Sequence, residues 1–224
     1  MDNEEYNKFL SYFDENYFEG KSGNWSSEWL KKYEYFQPFW FERAIWVWKQ
    51  FRPKNILEIG CGTGYLIRQI NEKLCPAIGV DISEYAINKG KKICPNLIKG
   101  DVRNLPINDM SCDMVIGFDI LEHIPEEFID QVISEINRVC YRYCFFNIPL
   151  KNSFDKFNDL EHDPSHVLIR DKKFWMDKFE KYFTVLNQET RFWLIKKGFP
   201  IPLIKLSKYW TEHGTPDYRG GVID

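Results

Sequence analysis

From Asn55 onward the chain alternates short, wholly apolar runs with amphipathic stretches, and few folds accommodate that pattern. The runs are Ile56–Ile59, Ala77–Val80, Leu97–Ile98, Met114–Phe118 and Cys144–Ile148, and helical periodicity falls between them near 65–73, 84–93 and 126–139. Strands buried on both faces are apolar throughout, and helices between them make the crossovers of a parallel sheet. Beyond Pro149 come a polar loop over about 150–170, a helix near 171–181 and two β-like runs, Phe183–Leu186 and Phe192–Ile195. A loop of that length inside a compact domain is more often functional than idle.

Residues 1–53 differ in kind. They hold 17 of the 38 aromatic residues of the 224-residue chain and read as mainly helical, with Trp29, Tyr33, Phe36, Trp40 and Phe41 at spacings of three and four. Pro38 is expected to kink or split that helix, and Pro53 closes the segment. Trp40, Phe41, Trp46 and Trp48 read as packing on a sheet flank. Tyr12, Tyr17, Trp25, Trp29, Tyr33 and Tyr35, interleaved with polar residues, are the candidates for a cover over a ligand. Three segments follow: an aromatic helical N-terminal cover (1–53), an α/β domain (54–198) and a tail (199–224).

Thirty basic and 33 acidic residues leave a net charge of -3, which gives no general attraction to nucleic acid or anionic lipid and fits a small or neutral partner. No apolar run approaches the roughly 20 residues that span a bilayer, and the acidic, aromatic start is unlike a signal peptide. A cytoplasmic location is the expectation. The six cysteines form no CxxC and lie in or beside apolar runs, as small hydrophobes in a reducing compartment do.

The chemistry concentrates where the apolar runs end. Leu57-Glu58-Ile59-Gly60-Cys61-Gly62-Thr63-Gly64 closes the first run and opens a helix. Glycines there allow a sharp turn and close approach of backbone amides to a ligand, and the helix N-terminus beyond attracts an anion. A dinucleotide fingerprint would need its third glycine at position 65, which is Tyr. Asp81 ends the second run, where a carboxylate accepts both hydroxyls of a ribose or caps the helix ahead of it; Ser83 is the other candidate cap. Asp101 with Val102 and Phe118 with Asp119 follow at the next two run ends. Glycine, Asp81, Asp101 and Asp119 thus fall on one edge of a parallel sheet, the edge at which open α/β folds bind ligands.

In that order and spacing, residues 54 to about 148 resemble a class I S-adenosylmethionine-dependent methyltransferase. ILEIGCGTG, GVDIS, KGDVRNLP and DMVIGFDILEHI resemble the family's first four motifs. The resemblance implies a doubly wound, mostly parallel seven-stranded sheet and S-adenosylmethionine as cofactor, leaving as S-adenosylhomocysteine. It also implies roles: Gly60, Gly62 and Gly64, with Cys61 and Thr63 between them, line the methionine end and Glu58 orients it. Asp81 with Ile82 holds the ribose, Asp101 and Val102 hold the adenine, and Phe118 and Asp119 border the sulfonium.

The family's Lys-Pro-Gly-Gly turn is absent. Asn147-Ile148-Pro149, a loop and a later Asp-Pro-x-His stand in its place, resembling methyltransferases of sugar and surface-glycan biosynthesis. The expected acceptor is therefore a small molecule or glycan precursor, favoured at a sugar hydroxyl. A carboxyl or amine acceptor on a peptide or metabolite, or cofactor binding without turnover, stays open. A hydroxyl must lose its proton, and the loop histidines His166 first and His162 second are the candidate bases. His162, Asp163 and His166 have the right types for a metal but no fourth partner, so none is expected. His123, in Leu121-Glu122-His123-Ile124, reads as bracing a turn.

Overall fold

A computed structural model describes residues 3–19, 45, 48, 49, 51–151, 165–188 and 191–200. Seven strands form one sheet: β1 (Ile56–Ile59), β2 (Ala77–Asp81), β3 (Leu97–Lys99), β4 (Cys112–Phe118), β5 (Cys140–Asn147), β6 (Phe183–Gln188) and β7 (Arg191–Lys196). Their order is β3-β2-β1-β4-β5-β7-β6. The first five are parallel, with Ile56 opposite Ala77 on one side and Met114 on the other. β7 inserts antiparallel between β5 and β6. The helices are α1 (Asn3–Leu10), α2 (Glu15–Phe18), α3 (Tyr65–Lys73), α4 (Glu84–Gly90), α5 (Glu126–Val139) and α6 (Lys172–Phe179).

Side chains alternate between the faces of β1, so neighbouring residues enter different cores. Leu57 and Ile59 pack with Ile129, Val132, Ile133 and Ile136 of α5 and with Trp175 and Phe179 of α6. Ile56 packs on the other face with Leu66, Ile67 and Ile70 of α3 and Ile87 of α4. Covered on both faces, the sheet is left with its strand ends for chemistry. The expected mostly parallel seven-stranded α/β sheet is what forms.

Several boundaries differ from the periodicity. α4 ends at Gly90 rather than near 93, β3 extends to Lys99, and β5 begins at Cys140 rather than Cys144. The last shift has a physical cause. α5 passes into β5 without a loop, and Tyr143 to Asn147 must pair with Met114 to Phe118 on one side and with Ile195 to Arg191 on the other. That pairing draws the polar-looking residues 140–143 into the ladder. The helix expected across 29–48 lies largely outside the described residues, of which 45, 48, 49 and 51 are helical.

The amino end of the sheet is tied by ion pairing. Asp113 accepts both Arg142 Nε and Nη2 at 2.5 Å and the Lys54 amide at 2.7 Å. These contacts hold its carboxyl below the usual range despite burial, the largest opposing effect. Because removing one partner of such a pair strands the other charge, Asp113→Ala is expected to lower the free energy of unfolding by roughly 3 kcal/mol in urea denaturation.

Candidate functional site

The turn after β1 is left-handed at three glycines, Gly60 (φ 68°), Gly62 (φ 51°) and Gly64 (φ 76°). A Cβ on Gly60 would lie 2.7 Å from the Ile120 side chain, and one on Gly64 would lie 2.6 Å from Leu97. Both the conformation and the space therefore exclude other residues. Gly64 is the N-cap of α3 and supplies no side-chain bond to it, so the first amides of that helix are available to a ligand at this edge. Cys61 and Thr63, between the glycines, are buried.

Two carboxyls flank the turn. Asp81 accepts the Gly62 amide at 2.7 Å and the Ser83 amide at 2.8 Å. Ser83 caps α4 by accepting the Ala86 amide at 3.1 Å. The choice between two caps is thus resolved: Ser83 serves the helix and Asp81 turns back to the glycines. Burial raises the Asp81 carboxyl while the amides of Ser83, Gly62 and Ile82 counter it. Glu58 shares the α3 face of β1 with Ile56. It is 5% exposed, and its Oε2 has no hydrogen-bond partner among the described residues. Burial first, then the nearby Asp81 charge, push its pKa up to about 8. A buried acceptor left without a described donor in the middle of a strand is uncommon, and it makes Glu58 a candidate ligand-facing position.

Along the same edge, Asp101 accepts the Arg103 amide at 2.8 Å and Arg103 Nε at 2.9 Å. The guanidinium of Arg103 lies 3.6 Å above the Tyr6 ring, a contact that nothing in the sequence signalled. Val102 and Phe118 are buried, and Ile82 is half-buried. Asp119 is exposed, takes a positive φ of 50°, and accepts Asn147 Nδ2 at 2.8 Å. All the predicted strand-end residues therefore stand at one edge, Asp81, Asp101 and Asp119 already engaged with protein donors.

Beyond Asp119 the chain makes a 3-10 turn, Leu121–His123, whose three residues are buried. The segment from Ser165 onward returns to this turn. The Leu168 amide donates to the Glu122 carbonyl at 2.9 Å, and His123 Nδ1 lies 3.1 Å from the Ser165 carbonyl and 3.0 Å from its Oγ. His166 arrives half-buried, its ring 4.8 Å from that of His123. His123 thus braces a turn, as expected, and also meets the first-choice base. His162 and Asp163 lie outside the described residues. Sequence reasoning passed over Glu122 and Ser165; Glu122 sat in the quoted fourth motif, but Ser165 carried no signal.

Residues 3–19 run along this edge. Tyr6 meets Phe128 edge-on at 4.8 Å, Phe13 meets the His123 ring at 5.5 Å, and Glu19 pairs with Tyr85 Oη (2.5 Å) and Lys89 Nζ (2.6 Å) on α4. The Tyr6 hydroxyl is pushed up to about 12, chiefly by burial.

A family model described as a methyltransferase domain matches residues 56–142, from the start of β1 into β5. The chain is 28% identical over 137 residues to a probable S-adenosylmethionine-dependent methyltransferase of Mycolicibacterium smegmatis, covering 58% of this chain and 52% of the relative. It therefore spans about half the length of that protein. A SAM-dependent methyltransferase from Archaeoglobus fulgidus superposes with a TM-score of 0.59 at 20% identity, over 72% of this chain and 80% of the other. Magnesium protoporphyrin IX methyltransferase from Synechocystis, solved with bound SAH, superposes with 0.57 at 16% identity, over 71% and 83%. Both share the fold. Residues 56–142 thus match a methyltransferase domain, the matched curated relatives are probable S-adenosylmethionine-dependent methyltransferases, and the fold is shared with enzymes that use that cofactor.

Proposed function

We propose that this protein methylates a hydroxyl of a small molecule, with a sugar or nucleotide-linked sugar as the favoured acceptor class. The observation that carries this reading is the meeting of His123, His166 and Glu122 immediately beyond the β4 strand end. Methyl transfer from a sulfonium is mainly a matter of aligning two reactants. A carboxylate acceptor needs nothing more, whereas a hydroxyl must give up a proton, and imidazoles are the side chains suited to that near neutral pH. Phe13 and Tyr17 stack edge-to-face beside His123, their centroids 5.2 Å apart, and offer faces on which a sugar ring packs. Residues 1–53 act in this reading as the cover of the acceptor site.

The cofactor fits the residues present. The uncapped start of α3 and the glycine turn receive the methionine end, with Cys61 and Thr63 in the wall and the Glu58 carboxyl as acceptor for its ammonium. The Asp81 carboxylate keeps lone pairs beyond those its backbone amides take, and these accept the ribose hydroxyls; Ile82 packs beside them. Asp101 and Val102 take the adenine, and Phe118 and Asp119 border the sulfonium. When bound, S-adenosylmethionine supplies the electrophilic methyl group.

Three outcomes follow. Asp81→Asn should weaken S-adenosylmethionine binding about 10- to 100-fold in titration calorimetry, the worth of one or two bonds to a charged acceptor; unchanged affinity would remove the ribose role. With a pKa near 8, Glu58 is mostly protonated at pH 7, and a cation placed against it lowers that pKa. Binding should therefore release a proton, measurable as a dependence of the heat on buffer ionisation enthalpy and absent in Glu58→Gln. His166→Ala should lower kcat on a hydroxyl acceptor roughly a hundredfold or more without changing cofactor affinity; near-full turnover would point to a carboxylate acceptor.

A further inference from the structure

Spacing alone joins His162, Asp163 and His166 on one loop. The fold assembles a different set. Glu122 and His123, adjacent in the 3-10 turn after β4, meet His166 from the returning segment, and one donor atom from each of the three lies within 4.8 Å of the other two. Glu122 is 1% exposed and His123 6% exposed. In so dry a place a carboxylate and a cation attract each other far more strongly than in water.

Two imidazoles and one carboxylate form the donor set that first-row divalent transition metals take when coordination positions are left open for substrate. Bonds of about 2.1 Å put the donors of a single ion roughly 3 to 4 Å apart, so the cluster reaches metal distances by small side-chain adjustments. The His123 ring is already oriented. Its Nδ1 lies 3.1 Å from the Ser165 carbonyl, the kind of contact that fixes the orientation of a ligating histidine. The bond from the Leu168 amide to the Glu122 carbonyl fastens the two contributing segments together.

We infer that Glu122, His123 and His166 bind one divalent transition-metal ion, such as Mn2+ or Co2+, beside the methyl-transfer edge, and that the ion's open position takes the acceptor hydroxyl. This inference rests on the hydroxyl reading above and refines it: His166 serves as a ligand. Coordination lowers the hydroxyl pKa, the O–H bond breaks with its pair staying on oxygen, and the proton passes to water.

The test uses the full chain, stripped with chelator and titrated with Mn2+ while free ion is read by electron paramagnetic resonance. About one ion should bind per chain, and Glu122→Gln and His166→Gln should each weaken binding roughly tenfold or more while circular dichroism and S-adenosylmethionine affinity hold. Absence of Mn2+ and Co2+ binding by the unaltered protein, or variants that bind as it does, would overturn the site; the first measurement needs no variant to fold. Turnover separates the two readings. Hydroxyl methylation that persists in EDTA overturns the metal and keeps the acceptor class. A bound ion at the triad with methyl delivered to a carboxylate keeps the site and overturns the acceptor class.

Discussion

The Asp81 carboxylate joins the ends of two adjacent strands by accepting the amide of Gly62 from the turn after β1 and the amide of Ser83 from the turn after β2. Three consequences follow from this one buried group. The glycine turn is held in a left-handed path that only glycine adopts without strain. Ser83 is released to cap α4. The charge stays close enough to Glu58 to help keep that second carboxyl protonated near neutrality. Breaking the bridge would loosen the turn, the helix start and the electrostatics of the edge together.

Around that bridge the sheet is sealed on both faces, by α5 and α6 on one and by α3 and α4 on the other. Burial there leaves the strand ends, among the described residues, as the part of the parallel region where backbone and carboxyl groups meet a ligand in such folds. Residues 3–19 then run along this edge, anchored by Tyr6 on Arg103 and Phe128 at one end and by Glu19 on Tyr85 and Lys89 at the other. Phe13 between them faces His123. The aromatic residues of 3–19 thus gain a location along this edge, with Phe13 against His123, whereas Phe51 and Trp48 pack with the core on the α3 face.

Reading residues in order recovered the sheet, its crossover helices and the strand-end positions, because each depends on a local pattern: an unbroken apolar run, a helical period of about 3.6, a glycine where φ is positive, an acidic residue where a strand stops. It went astray where neighbours far along the chain decided the outcome. β5 starts at Cys140 because β4 and β7 pair with it on both sides. The choice between Asp81 and Ser83 as the cap of α4, left open by the order of residues, is decided by Gly62, nineteen residues before Asp81, whose amide Asp81 accepts while Ser83 caps the helix.

The histidines mark the boundary most sharply. That the chain carrying His166 leaves from the ligand edge is topology, readable from the order of elements. That its neighbours are His123 and Glu122, and not the loop's own residues, depends on bonds across more than forty residues, Ser165 to His123 and Leu168 to Glu122. Sequence carries the residue types and the local periods, and with them the fold class and the cofactor. Which side chains share a space is set by long-range closure, because a contact between distant segments leaves no periodic trace in either of them.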